Sequence, residues 1–421
     1  MSGKQSKYIT LFSSLKFHHL QSLWQDVKEA IAGNDKDFTV IPLRKAVFLL
    51  AIPMILEMIM ESIFAVVDIY FVSQLGANAV ATVGLTESLM TIVYAIGFGL
   101  SISTTAMISR RIGEKKHDKA AITAVQAIIT GIFVSLFIAV PGFLFPKQLL
   151  GLMGASAEII ESGYQYPMIM LGGNVIIMLL FIINAVFRSS GDASLSLRVM
   201  VIANILNIVL DPCLIFGLGP FPELGITGAA VATTTGRGLA VAYQFYILAR
   251  GTGRVKILFK HLRVSFNVIA KLVKLSLGGI GQNIIATFSW VAMVRIIAEF
   301  GSEILAGYTI AIRIVIFSLL PSWGLANAAA TLVGQNLGAK KPERAEKSVW
   351  SAGFVNMALL GSISVLFILK AEYFISLFTD EPGVIAAGKV CLRMISYGFL
   401  MYGLGMVMVQ AFNGAGDNTT P

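Results

Sequence analysis

Three carboxylates, Glu57, Glu61 and Asp68, interrupt an apolar run long enough to cross a bilayer, and a fourth, Asp211, interrupts another. An ionisable side chain in lipid costs at least a few kcal/mol, so each marks a position where chemistry, rather than solubility, keeps the charge. Spacings of four and seven residues bring the first three within about 40° of one another on a helix turning about 100° per residue. Asn207 precedes Asp211 by one turn and adds an amide to the same face. Carboxylates crowded into a low dielectric repel one another and take up whatever neutralises them. A proton, a small cation such as Na⁺ or an organic cation would each serve, and these occupants compete. The competing reading is structural, a hydrogen bond to a neighbouring helix, and it weighs most for Glu57.

Other polar side chains within the apolar runs are less specific. Glu87 and Arg313 lie at nearly equivalent depths and are placed to pair across a cavity. Gln282, Asn174 and Asn184 suit either a polar cavity wall or bridges between helices, whereas Arg295 and Glu299 are near enough to the end of a run to reach the interface. The candidate cavity set is therefore Glu57, Glu61, Glu87, Gln282 and Arg313. All four histidines, His18, His19, His117 and His261, fall outside the runs, which argues against a histidine relay or a buried metal centre. No Walker loop, zinc motif or catalytic triad is present. ATP-driven work, enzymatic catalysis and a bound cofactor are not expected.

The elements that must position these groups are membrane helices. Of 421 residues, 56% are hydrophobic and 13% charged, against about 25% charged in soluble domains. Runs of about 20 or more apolar residues fall near 46–72, 83–107, 122–146, 164–187, 196–218, 226–249, 269–298, 304–332, 347–369 and 385–412. Proline recurs within them (Pro53, Pro141, Pro167, Pro212, Pro321), tolerable where neighbouring helices satisfy the freed carbonyls. The net charge of +9 does not point to nucleic acid, because the basic residues are spread over alternate short loops. Arg110, Arg111, Lys115, Lys116 and Lys119 follow the second run; Arg250, Arg254, Lys256, Lys260 and Arg263 follow the sixth; Lys340, Lys341, Arg344 and Lys347 follow the eighth. The intervening loops carry mainly Glu223, Glu299, Glu303, Asp380 and Glu381, with an occasional lysine. The positive-inside bias places the even-numbered loops and the N-terminus in the cytoplasm. Cys213 and Cys391 both sit in apolar runs and give no disulfide framework.

Residues 44–196 and 269–421 are the same segment written twice, at a constant offset of 225: Gly76 and Gly301, Gly113 and Gly338, Lys115 and Lys340, Phe187 and Phe412, Asp192 and Asp417 all correspond. A duplicated array of apolar helices with its site between the halves is a transporter architecture, and six helices per repeat put the pseudo-twofold axis along the membrane normal. The acids are not duplicated. Glu57, Glu61 and Asp68 correspond to Gln282, Ala286 and Met293, which assigns the acidic site to the first copy rather than to the shared scaffold. The expected fold class is an all-α polytopic membrane protein of twelve helices, with two further helices beyond residue 421. Its divisions are an N-terminal segment over 1–43, an N-lobe over 44–250, a linker over 251–268 and a C-lobe over 269–421. Within the first of these, Phe12, Leu15, Leu20, Leu23, Trp24, Val27 and Ile31 make an apolar stripe over 8–31, stopped at Gly33-Asn34-Asp35, that suits a helix lying on the cytoplasmic leaflet.

Seven stretches in order together resemble the multidrug and toxic compound extrusion (MATE) family. They are Val67-Asp68-Ile69-Tyr70-Phe71-Val72, Ser109-Arg110-Arg111-Ile112-Gly113, Phe187-Arg188-Ser189-Ser190-Gly191-Asp192, Asn207-Ile208-Val209-Leu210-Asp211-Pro212, Gly228-Ala229-Ala230-Val231-Ala232-Thr233, Val333-Gly334-Gln335-Asn336-Leu337-Gly338-Ala339 and Phe412-Asn413-Gly414-Ala415-Gly416-Asp417. The resemblance implies two lobes forming a V and export of cationic or amphipathic drugs in exchange for Na⁺ or H⁺. It implies a coupling-cation site at Asp68, Asn207 and Asp211, which would hold Na⁺ in a sodium-coupled member, with Thr233 from the sixth helix. Ala286 stands near the place where NorM-type members carry a glutamate, which suggests a DinF-like bacterial member, a monomer of the cytoplasmic (inner) membrane. A flippase of lipid-linked precursors is the runner-up. Its anionic cargo calls for arginine and lysine in the cavity, whereas this one is acidic. A channel or receptor is disfavoured by the duplication with acids on one side only. The orientation has a direct check: cysteines placed at Lys115 and Lys340 are expected to escape an impermeant thiol reagent in intact cells and to react after permeabilisation, and reaction of either in intact cells overturns the assignment.

Overall fold

The structure is a computed structural model, described for residues 24–33 and 35–421. Residues 24–32 form helix α1, closed at Gly33, whose φ of +90° suits glycine and whose N–H bonds the Glu29 carbonyl at 3.1 Å. Residues 8–23 of the expected amphipathic stripe lie outside the described residues. The first copy then supplies α2 (Leu43–Ser73), α3 (Ala77–Gly113), α4 (His117–Leu144), two short helices α5 (Pro146–Leu152) and α6 (Ala157–Gly163), α7 (Gln165–Gly172), α8 (Asn174–Ser190), α9 (Ala193–Ile215) and α10 (Ile226–Arg250). The second copy supplies α11 (Phe266–Ala298), α12 (Ser302–Gly338), α13 (Pro342–Ser376) and α14 (Pro382–Ala415).

Nine spans among the described residues are long and apolar enough to cross a membrane, α7 and α8 counting as one across a single-residue break at Gly173. The tenth expected span is present as α10, 25 residues long, but it falls short of the others in hydropathy. The reason is local: Thr233-Thr234-Thr235-Gly236-Arg237 occupies its middle. The duplication survives in the backbone. Ala77–Gly113 and Ser302–Gly338 begin and end at the same offset of 225 found in the sequence. Lys115 and Lys340, both at φ 59°, make the same left-handed turn.

Apolar packing forms three cores. One lies within the first copy around α3, α4 and α8 (Met90, Ala124, Ile182), and one within the second around α12, α13 and α14 (Val315, Leu360, Phe399). The third joins the copies, with Leu49, Leu50 and Met54 of α2 against Leu325, Ala329 and Leu332 of α12. The joining core sits toward the lysine- and arginine-rich end of the helices, because close approach there depends on glycine. A Cβ at Gly113 would stand 2.8 Å from the Gln335 carbonyl carbon, and one at Gly338 would stand 3.0 Å from the Arg110 carbonyl carbon. Above these contacts Phe98 of α3 stacks on Trp323 of α12, ring centroids 5.9 Å apart. The strand of chain over 36–41 crosses the same end: Lys341 and Arg344 donate to the Thr39 and Phe38 carbonyls at 2.9 and 3.0 Å, and Arg254 donates to the Lys36 carbonyl at 2.8 Å. Burial raises the Asp37 carboxyl, but hydrogen bonds from Thr39 and the charges of Lys115 and Lys341 outweigh it and hold it below the ordinary carboxylate value.

Replacing Gly338 with valine is expected to destabilise the protein by about 1–3 kcal/mol through overpacking against backbone that cannot yield. Gly84→Ala, on the open side of α3 where no atom lies within 4 Å of the new Cβ, serves as the control and is expected to leave the melting temperature in detergent unchanged or raised. Equal melting temperatures for the two variants would show that the junction is not tightly packed.

Candidate functional site

Four helices of the first copy enclose a cavity. α2 contributes Phe64 and Asp68; α3 contributes Thr86, Glu87, Met90 and Tyr94; α7 contributes Tyr166 and Met170; α10 contributes Thr233 and Arg237. The space between them, open solvent at its mouth included, is about 350 Å³. Aromatic rings and thioethers alternate with carboxylates on its wall, so it presents both an apolar bed and fixed charge.

Behind Asp68 a hydrogen-bonded chain runs into the protein. The Thr233 hydroxyl donates to Asp68 Oδ1 at 3.4 Å. The Asn207 amide nitrogen donates to Thr233 Oγ1 at 3.2 Å and to Asp211 Oδ1 at 3.0 Å. Both Asn207 and Asp211 are buried, and among the described residues Asn207 Oδ1 and Asp211 Oδ2 have no hydrogen-bond partner. Helix geometry explains the pairing: residues 207 and 211 are one turn apart on α9 and share a face. Pro212 follows directly, and its missing N–H leaves the Ile208 carbonyl without its helical donor. Two carboxylates on different helices thus meet through one amide and one hydroxyl, with two buried acceptor oxygens left over. A buried acceptor without a donor is costly. Such a site is satisfied by a proton or by a small oxygen-seeking cation.

A family model described as MatE matches residues 53–213 and 280–421. The chain belongs to the MATE family. Among its relatives, the FAD transporter of Shewanella oneidensis is 24% identical, with 88% of this chain and 82% of that protein covered. The probable multidrug resistance protein NorM of Thermotoga maritima is 23% identical, covering 90% and 82%. A solved outward-facing structure of a multidrug resistance MATE transporter superposes with a TM-score of 0.83 at 26% identity, covering 89% of this chain and 83% of that one. These relatives are transporters, and both repeats of this chain fall within the MATE fold.

The structure brings together Asp68, Asn207, Asp211 and Thr233, the four residues expected to couple a cation. Glu87 stands on the same cavity wall. Glu61 is set back and reaches the wall through Arg237, whose Nη2 donates to Glu61 Oε1 at 3.4 Å. Arg313 is exposed on α12; no direct salt bridge joins it to Glu87 among the described residues, but its charge acts on the Glu87 carboxylate from across the gap.

Glu57 is a correction. It does not line the cavity but is buried at 2% exposure, where its carboxylate accepts from Arg188 Nη1 at 2.6 Å, from Ser196 Oγ at 2.9 Å and from Asn184 Nδ2 at 3.3 Å. These bonds clamp α2 to α8 and α9. The second copy repeats the clamp without charge. Gln282 and Asn413, the equivalents of Glu57 and Arg188, exchange amide hydrogen bonds at 3.0 and 3.2 Å. Glu57 and Gln282 therefore do serve the common scaffold, as an ion pair in one copy and an amide pair in the other. Phe64, Thr86, Met90, Tyr94, Tyr166, Met170 and Arg237 are the wall residues that sequence reasoning missed. The available signal was an arginine one turn beyond Thr233 inside a span.

Glu57→Ala leaves Arg188 charged and buried without its partner. A loss of about 3–5 kcal/mol is expected, read as a lower melting temperature and reduced yield of folded protein. Full stability would return Glu57 to the list of cavity residues.

Proposed function

We propose that this MATE protein exports organic cations and amphipathic drugs in exchange for Na⁺ or H⁺ by alternating access. The observation that carries the reading is the chain Asp68–Thr233–Asn207–Asp211, which links an acid on the cavity wall to a second acid behind it. Two carboxylates, an amide oxygen and a hydroxyl offer a monovalent cation a complete set of hard oxygen donors, and the same carboxylates hold protons in its absence. An organic cation resting on the aromatic bed of Phe64, Tyr94 and Tyr166 is drawn to Asp68 and Glu87. Its charge and that of the coupling ion make demands on the same carboxylates. Loading one weakens the hold on the other, which is what exchange requires.

The joining of the copies at their basic end supports a direction. If that end is cytoplasmic, as the positive-inside bias has it, this conformation opens the cavity away from the cytoplasm, and drug is released as the ion enters. Confinement of the coupling acids to the N-lobe fits a DinF-like member of the bacterial inner membrane with its N-terminus inside. A flippase of anionic lipids fits less well, since the acids Glu61, Asp68 and Glu87 outnumber Arg237 at the cavity.

Asp68→Asn and Asp211→Asn are each expected to abolish gradient-driven export of an organic cation while the protein inserts and melts as before. Without the charge the ion no longer distinguishes two conformations, and an ion without differential affinity drives nothing. Met293→Leu, at the second-copy equivalent of Asp68, keeps volume and charge and is expected to export like the wild type. Wild-type export by both aspartate variants under either gradient would show that these acids are structural.

A further inference from the structure

Among the described residues, two that are not glycine have left-handed backbone, Lys115 and Lys340, both at φ 59°. They correspond at the offset of 225 and close equivalent turns. The N–H groups of Lys115 and Lys340 donate to the Ile112 and Leu337 carbonyls at 2.9 and 3.1 Å. Those of Lys116 and Lys341 donate to the Arg111 and Asn336 carbonyls, both at 2.9 Å. A helix closed in this way ordinarily has glycine at the left-handed position, because a Cβ there crowds the following carbonyl oxygen. Lysine stands twice where its backbone is strained, and strain of this kind gathers at binding sites and switch regions.

Both lysines line one cavity at the basic end of the helices, separate from the cavity of the first copy. It lies where Gly113 and Gly338 let the ends of α3 and α12 touch, with the chain over 37–40 along its side. The space is about 780 Å³, open solvent at its mouth included. Each copy contributes two lysines to the wall, Lys115 and Lys116 from the first and Lys340 and Lys341 from the second. Two carboxylates oppose them, and both are engaged. Glu114 accepts from Arg111 at 2.9 Å and from Lys116 at 3.0 Å. Asp37 accepts from the Thr39 N–H and hydroxyl at 2.9 and 2.6 Å and stands 4.0 Å from Lys115. Lys341 donates to a neutral group, the Thr39 carbonyl, and Lys340 has no ion pair among the described residues. The wall therefore carries more positive charge than its acids neutralise. The positive-inside bias accounts for lysines at this end, but not for their convergence from both copies on one cavity through strained turns. We propose that this cavity binds a phosphate group, carried by an anionic lipid head or by a soluble phosphate, between Lys115 and Lys340 with Lys116 and Lys341 in support. Phosphate oxygens accept from several amines at once, and the lysine ammonium suits them as a point charge. A phosphate held there bridges the two copies and offsets the repulsion among the lysines gathered at their junction.

Two probes of the purified protein test the site and tell its sources apart. Titration with inorganic pyrophosphate, read by calorimetry, reports a soluble phosphate. Retention of phosphatidylglycerol over phosphatidylcholine after extraction from mixed vesicles, read by native mass spectrometry, reports a lipid head. Binding of pyrophosphate assigns the site to a soluble phosphate, and enrichment of phosphatidylglycerol alone assigns it to lipid. Lys115→Gln combined with Lys340→Gln is expected to weaken the bound probe at least about tenfold, because two charge-assisted contacts are lost. Each single variant is expected to weaken it too, since the site draws on both copies. Lys119→Gln combined with Lys347→Gln removes the same charge from exposed positions that do not line the cavity, and is expected to bind like the wild type. Lys115→Gly combined with Lys340→Gly separates ligand from scaffold. Glycine takes the left-handed backbone freely, so the protein melts no lower than before while binding is lost. A wild type that neither binds pyrophosphate nor enriches phosphatidylglycerol overturns the proposal. Equal weakening in the two glutamine pairs also overturns it, since that is the mark of general surface charge. A single variant that binds like the wild type does the same, by confining the site to one copy. Should the glutamine pair at 115 and 340 fail to fold, the glycine pair decides, and retained binding there overturns the proposal.

Discussion

The structure turns on the cost of keeping carboxylates away from water. Asp68 and Asp211 sit on different helices, and one amide and one hydroxyl, those of Asn207 and Thr233, hold them in a single hydrogen-bonded chain. Two acceptor oxygens in that chain remain unsatisfied. On the reading proposed here, an arriving cation or proton satisfies them. α9 places Asn207 and Asp211 on one face; α10 brings Thr233 against them; α2 carries Asp68 to the point where the chain meets the cavity. The cavity is the route by which water, an ion or a competitor reaches Asp68.

Duplication supplies the frame and departure from duplication supplies the chemistry. Helix ends, the left-handed turns at Lys115 and Lys340, and the glycine contacts at Gly113 and Gly338 repeat at one offset. The clamp of Glu57 on Arg188 repeats as Gln282 on Asn413. A polar pair at these positions holds the first helix of each copy to its fourth, and charge is optional there. Asp68 has Met293 as its counterpart, and no amide or hydroxyl can make a methionine into a cation site. On the proposed reading, only the first copy senses the ion.

Much of this was legible in the sequence because membrane helices announce themselves by length and hydropathy, and because an offset of 225 can be read without knowing the fold. The two acids of the candidate coupling chain, Asp68 and Asp211, were legible for the same reason: an acid in an apolar run has to be explained. The misreadings have physical causes. Glu57 was grouped with Glu61 and Asp68 because the three share a helix face, but that face is long, and its lower part points into the junction of α8 and α9 rather than into the cavity. An acid missing at position 282 reads in the sequence as a missing common role, whereas a glutamine can make the same bonds without charge. Arg237 was passed over because α10 is the least apolar of the long helices, so a charge within it stood out less. Glu87 and Arg313 match in depth from opposite copies, and their charges act on one another without a direct ion pair.

The central claim is that the aspartate chain and the organic cation compete. Equilibrium binding of rhodamine 123 to the purified protein tests it most directly, titrated once against Na⁺ at fixed pH and once against pH without Na⁺. The account predicts that in at least one titration the apparent Kd of the dye rises in proportion to the activity of the ion, and that Asp211→Asn removes the dependence. A Kd that stays constant through both titrations in the wild type would contradict it.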